Sequence, residues 1–238
     1  MLTLFVSDVH LHPSRPQTAR RFGEFLAEAQ GAAALYILGD LFDAWAGDDD
    51  LPDPFNAGVC SALKALVDDG TQVFFLPGNR DFLVREAFAA ATGARFLPDE
   101  SVVDVAGVAT LLLHGDTLCT DDRAYADFRA QVRSPQWQRD FLARPLAERK
   151  AEIAVLRARS EAGKRVKPAE LMDVNPAAVA QAYARHGVAR IIHGHTHRMA
   201  RHAEAGGERW VLPDWDDAHG VALACDAAGC RWFEFPAP

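Results

Sequence analysis

The sequence predicts an α/β fold with a mainly parallel central sheet and a helical insertion in its second half. Through residues 2–91, short apolar runs alternate with amphipathic stretches, the pattern of strands buried on both faces and joined by crossover helices. Residues 121–168 then hold no strand-like run and are punctuated by Pro135, Pro145 and Pro168 into two or three helices. The length, 238 residues, fits one domain spanning 1–238 with an insertion at about 121–168.

Leu2-Thr3-Leu4-Phe5-Val6 reads as the first strand. A helix over residues 16–28 puts Phe22, Phe25, Leu26 and Ala29 on one face. Residues 34–38 and 72–76 are the second and third strands, separated by a helix over 56–68. A further helix is expected over 80–91. Residues 101–105 and 109–113, split by Gly107, form a hairpin-type pair. A helix over 176–186 leads to a strand at 190–193, and strands at 209–212, 220–225 and 230–235 close the chain.

Composition excludes several classes. At 49% hydrophobic and 24% charged the chain is neither disordered nor fibrous, and no apolar run is long enough to span a bilayer. The N-terminus lacks the basic region of a signal peptide. Cys60, Cys119, Cys225 and Cys230 form no C-x-x-C pair; scattered, buried, inert thiols in a reducing cytosol are expected. The net charge of −8 is uneven: residues 121–168 carry 12 Lys and Arg against 7 Asp and Glu, and the rest 13 against 26. An acidic body argues against nucleic acid as a partner, and a basic insertion points to a local anionic one, a phosphate-bearing ligand or an anionic membrane. A solvated helical face accounts for the same charges equally well.

Five polar clusters each sit at or just past the end of an apolar strand: Ser7-Asp8-Val9-His10, Gly39-Asp40-Leu41-Phe42-Asp43, Gly78-Asn79-Arg80-Asp81, His114-Gly115-Asp116 and His193-Gly194-His195-Thr196-His197. Ligands of open α/β sheets bind at the carboxyl ends of strands, so these clusters are expected to converge. In an extended segment residues i and i+2 point the same way, letting Asp8 with His10, and His195 with His197, grip one ion together. With Asp40, Asn79 and His114 this makes seven nitrogen and oxygen donors and no thiolate. That is too many for one zinc and suits two divalent ions sharing a carboxylate, with Mn²⁺, Fe²⁺ or Zn²⁺ favoured. Two ions roughly 3.5–4 Å apart clamp a phosphate and activate a water between them. Arg80 is placed to pair with a non-bridging phosphate oxygen. Metal-assisted phosphoester hydrolysis is the predicted chemistry.

Asp43, Asp81 and Asp116 are read as carboxylates orienting histidines or turns, and His193 as a supporting residue rather than a ligand. His12, His186, His202 and His219 have no partner pattern. Asp48-Asp49-Asp50 reads as a solvated loop. Tyr125, Phe128, Val132, Trp137, Phe141, Leu146, Ile153 and Leu156 fall at helical spacings that pack the insertion on the body, some of them free to line an apolar groove.

In this order, D-x-H, G-D, G-N-x-D, H-G-D and G-H-x-H resemble the calcineurin-like metallophosphoesterases. Within that superfamily, Tyr36 to Phe42, Gly78-Asn79-Arg80-Asp81-Phe82-Leu83, Leu113 to Asp122 and His193 to Arg198 are similar to the UDP-2,3-diacylglucosamine diphosphatases of lipid A biosynthesis, over Met1 to about Trp215. The resemblance implies a four-layer αββα sandwich with a helical cap. It implies hydrolysis of the pyrophosphate of UDP-2,3-diacylglucosamine by water attack at the α-phosphorus, giving UMP and 2,3-diacylglucosamine 1-phosphate.

Two Mn²⁺ ions are implied, one on Asp8, His10, Asp40 and His197, the other on Asp40, Asn79, His114 and His195, with Asp40 bridging. Substrate contacts carry over to Asn79, Arg80, Asp122, Ser160, Lys164, Lys167 and His195, and the groups at the reacting centre to Asn79, Arg80, His114 and His195. A monomer in the cytoplasm, peripheral on the anionic inner membrane, is expected.

The sequence departs from the family in three places. Most superfamily members carry histidine where Arg80 stands, so that histidine's role does not transfer. Leu212-Pro213-Asp214-Trp215 replaces the usual glycine and alanine before the tryptophan, and no proline follows Arg198; both changes concern the pocket's edge. Rival readings are a phosphoesterase for a water-soluble nucleotide or phosphoester, and a non-catalytic scaffold of the same fold.

Overall fold

Alternation along the first strand sets up the layers. In a computed structural model of the protein, which describes residues 1–164 and 169–235, β1 (Thr3–Val6) sends Leu4 and Val6 to one face and Phe5 to the other. The next strands do the same: Leu35 and Ile37 of β2 (Ala34–Ile37) join the first face and Tyr36 the second. Both faces are apolar because both are covered.

Helices cover the first face. α1 (Pro16–Glu28) starts on Pro16 and buries Phe22, Phe25 and Leu26. α2 (Pro54–Asp68) is capped by Asp53, whose carboxylate accepts from Phe55 N, and buries Cys60, Leu63 and Leu66. β3 (Gln72–Phe75), α3 (Glu86–Thr92) and β4 (Arg95–Phe96) complete this half. β1 to β4 are parallel, as the crossovers require.

A second sheet covers the other face. β5 (Ser101–Val105) and β6 (Val108–Leu112) form the expected hairpin. β7 (Arg190–His193) lies parallel to β6 and to β9 (Gly207–Val211), with β8 (Ala200–Glu204) at the edge. The order is β5-β6-β7-β9-β8. Against its outer face packs α7 (Pro176–His186), capped by Asn175 and ended by left-handed Gly187. β10 (Gly220–Asp226) and β11 (Gly229–Phe235) return to the first sheet, ordered β11-β10-β1-β2-β3-β4. Phe5, Tyr36, Leu112, Ile192 and Trp210 meet between the sheets. The αββα sandwich is therefore present, both sheets being mixed.

Between β6 and β7 the chain forms α4 (Arg123–Arg133), α5 (Pro135–Leu142) and α6 (Leu146–Lys164). Phe141, Trp137 and Ile153 pack on the apolar body beside Phe42 and Trp45. Four cations of this segment pair with acids of the body or of the site. Arg129 pairs with Asp99 and Asp116 (both 2.6 Å), Lys150 with Asp50 (2.6 Å), Arg149 with Asp49 and Arg157 with Asp43. The charge asymmetry thus welds the helices to the acidic body, and only part of it is left to meet a ligand. For the same reason Asp48-Asp49-Asp50 is not a solvated loop. It is a 3₁₀ turn in which Asp48 accepts from Trp45 Nε1 and from the N–H groups of Arg85 and Phe88 (3.0 Å each), while Arg149 and Lys150 dock on its neighbours.

Three expectations are corrected. The helix expected over 80–91 begins only at Glu86, because residues 80–84 form turns around the buried carboxylate of Asp81. β8 was not foreseen, since its residues alternate half-buried and exposed at a sheet edge and carry little apolar signal. Cys225 and Cys230 are not scattered thiols: they lie opposite one another across the β10–β11 hairpin and form a disulfide, whereas Cys60 and Cys119 are free and buried.

Asp81 ties two strand ends together. Its carboxylate accepts from the N–H groups of Gly78 (2.8 Å), Leu41 (2.8 Å), Asp40 and Phe42 (3.3 Å each), and it is fully buried. Asp81→Ala strands these donors in the interior. Urea unfolding is expected to show a loss of about 3–5 kcal/mol, and an unchanged midpoint would show that the loops hold without it.

Candidate metal centre

The loops that leave β1, β2, β3, β6 and β7 converge on one edge of the sandwich. Their backbones are tightly bent: Asp8, His10, Asp40, His195 and His197 all adopt positive φ, between 53° and 66°. Such conformations cost about 1–3 kcal/mol each for a non-glycine residue and gather where function requires them. This corrects the extended geometry expected for Asp8-Val9-His10 and His195-Thr196-His197. Glycines make the close approach possible. A Cβ on Gly78 would fall 2.1 Å from Asp40 Oδ1, and one on Gly194 2.2 Å from Asp8 Oδ2.

All seven predicted donors come together, in two groups. Asp8, His10 and His197 form one: His197 Nε2 lies 3.2 Å from Asp8 Oδ1 and 3.4 Å from His10 Nε2. Asp8, Asp40 and His114 form the other. Asn79 Oδ1 sits 2.9 Å from both His114 Nε2 and His195 Nδ1. His195 and His197 therefore face different groups rather than gripping one point. Asp40 stands between them, Oδ2 being 4.0 Å from His10 Nδ1 and Oδ1 3.7 Å from His114 Nε2.

The donor atoms fit cations. His114 Nδ1 lies 2.8 Å from the carbonyl oxygen of Leu38, an acceptor only, so Nδ1 carries the proton. Its Nε2 then faces two more oxygens that offer no proton, Asn79 Oδ1 and Asp40 Oδ1. His197 Nδ1 lies 3.2 Å from the Asp214 carboxylate, which turns its Nε2 toward Asp8 and His10. A metal ion satisfies all of these lone pairs at once.

The electrostatics carry the same message. Burial pushes Asp40 up to about 7, helped by the Asp8 and Asp81 carboxylates. Burial also opposes ionisation of Asp8, but the His197 hydrogen bond and the His114, His197 and His10 rings outweigh it and hold Asp8 well below the usual range. Burial works against protonated His114, yet Asp40, Asp8 and Asp116 raise it to about 9. For His197 the same opposition is overcome by Asp214 and Asp8, to about 10. Burial and the His114 charge depress His195 to about 4.

The supporting residues are redistributed relative to expectation. Asp81 orients turns, as read. Asp116 does not orient a histidine: its Oδ2 accepts from Tyr125 Oη and Arg129 Nε (2.6 Å each), fixing α4 over the site. Tyr125, read as a packing residue, places its ring 5.8 Å from that of His195. Asp43 is within 4.0 Å of His10 Nδ1 and pairs with Arg157. His193 faces Gly194 O and Arg209 rather than the donor groups. His12, His186 and His219 lie near Ser14, Glu100 and Asp216 respectively.

Two cavities adjoin the centre. One, of about 550 Å³, is lined by His10, Asp40, Asn79, Arg80, Asp122, Ser160, His195 and His197 among others, which brings together five of the seven predicted substrate contacts. The Lys164 side chain and Lys167 lie outside the described residues. The second, of about 330 Å³, runs between α4–α6 and the body and is walled by Trp45, Phe82, Phe128, Val132, Trp137, Phe141 and Leu156. Asn79, Arg80, Tyr125, Arg159 and Ser160 line both cavities.

A strand-end cluster of this kind on an αββα sandwich defines a class. The sequence model of the calcineurin-like phosphoesterases matches residues 1–199, and the chain belongs to that family. Its relatives narrow the class. The UDP-2,3-diacylglucosamine hydrolase of Aromatoleum aromaticum is 50% identical over 237 residues, covering 98% of this chain and 93% of that protein. The UDP-2,3-diacylglucosamine hydrolase of Xanthomonas axonopodis pv. citri is 50% identical over 241 residues, covering 96% and 97%. Among solved structures, an archaeal phosphodiesterase superposes with a TM-score of 0.52 at 11% identity, over 99% of this chain and 100% of that one, a likeness of fold alone.

A pH dependence follows for the metal-free chain. His114 and His197 have native values above their ordinary 6.5, so the stability they contribute is complete below pH 6.5 and is lost as pH rises through about 9 and 10. Asp40, raised from its ordinary 3.8 to about 7, acts in the same direction at lower pH, its contribution being lost as pH rises through about 7. The melting temperature of the chelated protein is therefore expected to fall from pH 7.5 to 10. Affinity for a divalent metal should rise over the same range, because the histidines must shed protons to bind it. A flat melting profile would contradict the charge balance described.

Proposed function

We propose that this chain hydrolyses the pyrophosphate bond of UDP-2,3-diacylglucosamine, giving UMP and 2,3-diacylglucosamine 1-phosphate. The observation that carries the reading is the pair of neighbouring cavities that share five lining residues, one beside the donor cluster and one walled by apolar side chains, as a substrate with a diphosphate at one end and two acyl chains at the other demands. Half-identity to two UDP-2,3-diacylglucosamine hydrolases over nearly their whole length supports it.

Two Mn²⁺ ions suit the donors: Asp8, His10, Asp40 and His197 would hold the first, and Asp40, Asn79, His114 and His195 the second. When bound they supply Lewis acidity, which neutralises phosphate charge and lowers the pKa of a water. The chain's own groups orient the reaction. Arg80, held near Asp40 and Asp43, takes a non-bridging oxygen of the diphosphate and stabilises charge as the α-phosphorus is attacked. The sugar phosphate leaves as an anion, so charge stabilisation matters more than proton donation. Asp122 and Ser160, which line the same cavity, contact the substrate there. Tyr125, pinned by Asp116, keeps α4 closed over His195.

Helices α4 to α6 form the cap. Its apolar wall takes the acyl chains, each buried methylene contributing about 0.8 kcal/mol. No described helix is long and apolar enough to cross a membrane. Phe128 and Val155, 39% and 50% exposed on the cap helices, fit peripheral attachment to the anionic inner membrane from the cytoplasmic side, the chain acting as a monomer.

The test is UMP release from UDP-2,3-diacylglucosamine in detergent micelles with Mn²⁺, after chelation, and beside UDP-N-acetylglucosamine. Rapid, chelator-sensitive release from the lipid alone is expected. Equal release from both would remove the lipid assignment and leave a phosphoesterase for soluble substrates. Arg80→Ala should lower kcat by about a hundredfold with metal content unchanged.

A further inference from the structure

Of the proposed histidine ligands, His197 has its Nδ1 3.2 Å from a carboxylate that lies outside the donor groups, Asp214. His114 is oriented by a backbone carbonyl instead. Asp214 also falls where the sequence departs from its family, in Leu212-Pro213-Asp214-Trp215. The loop that carries it is fixed on both sides. Leu212 N donates to His193 O (2.7 Å), at the end of the strand that leads to His195 and His197. Trp215 N donates to Asp8 O (3.1 Å), on the loop that carries Asp8 and His10. Trp215 itself is buried edge-on against Phe22 and Phe25, and Arg15 donates to its carbonyl oxygen (2.7 Å). Asp214 is thus clamped between the two segments that supply the first donor group, and Pro213 stiffens the approach.

We infer that Asp214 is a positioning residue for the first metal site, acting through His197. The carboxylate accepts from Nδ1–H and so fixes the tautomer. The Nε2 lone pair is left aimed at the point where Asp8 Oδ1 and His10 Nε2 converge. The negative charge also makes the imidazole a stronger donor. Partners of this type alter metal affinity by 10–100-fold when removed. Because the Asp214 side chain, 46% exposed, meets the donor set at His197, which belongs to the first group, the effect is expected at one ion and not both. The inference rests on the two-ion reading above.

The experiment is a Mn²⁺ titration followed by electron paramagnetic resonance, counting free and bound ion, for the unaltered protein, Asp214→Ala and Asp214→Asn. Melting curves of the chelated proteins accompany it. Asp214→Ala should weaken one of the two sites by 10–100-fold and leave the other, the metal-free melting temperature falling only by the loss of the His197–Asp214 pair. Asp214→Asn keeps an acceptor for Nδ1–H without the charge and should fall between. Two sites of unaltered affinity in Asp214→Ala would overturn the inference. So would equal weakening of both sites, which marks a structural lesion. Fewer than two bound ions in the unaltered protein would overturn the two-ion reading, and the inference with it, before any variant is compared.

Discussion

Four carboxylates, Asp8, Asp40, Asp81 and Asp116, are buried at one edge of the sandwich, and the rest of the molecule is arranged around keeping them there. An ionised carboxylate in a protein interior is costly unless its charge is met locally. Each is met differently. Asp81 is surrounded by backbone N–H groups, which also shapes the turns after β2 and β3. Asp116 is met by Tyr125 and Arg129, so its neutralisation requires α4 to be in place. Asp8 is met by the His195 N–H and by His197. Asp40 accepts from the Arg80 N–H (2.8 Å) and faces His114, yet burial and the Asp8 and Asp81 carboxylates drive it up to about 7. A cation beside Asp40 completes a balance that the protein alone leaves open.

Cap and centre are consequently one electrostatic unit. The acids that face the helices, Asp43, Asp49, Asp50, Asp99 and Asp116, are answered by Arg157, Arg149, Lys150 and Arg129. Arg149 is only 2% exposed, and it also donates to the carbonyl oxygens of Ala46 and Arg144. These contacts hold the helices over the apolar cavity, with Asp43, Arg129 and Arg157 paired at its edge. The same segment therefore roofs the apolar cavity and neutralises acids at the rim of the donor cluster.

Much of this was legible in the residues. Apolar runs such as Leu35 to Leu38 and Arg190 to His193 announce strands buried on both faces, and the polar clusters at their ends announce where ligands gather. Asp8, His10, Asp40, Asn79, His114, His195 and His197 could be chosen because histidine and carboxylate beside glycine have little packing value at strand ends. What stayed hidden depends on partners distant in sequence. Residues 80–84 look helical until Asp81 is seen to bind Asp40, Leu41 and Phe42. The acidic stretch at 48–50 looks solvated until Arg149 and Lys150 arrive from a hundred residues away. The disulfide needed the register of β10 on β11, and Asp214 needed the path of a loop between His193 and Asp8. Local pattern names the chemistry; tertiary contacts decide which groups serve it.

The left-handed backbone at five donor positions has an evolutionary meaning. Replacing Asp8, His10, Asp40, His195 or His197 with glycine relieves a conformation that L-residues resist. Replacing Asp40 also removes a charge the interior resists. Drift toward greater stability therefore runs straight through the donor set, and a lineage released from selection for activity would lose these residues early while keeping its sandwich intact. Stability-guided redesign scored on folding alone would take the same road, erasing the centre as though it were a defect.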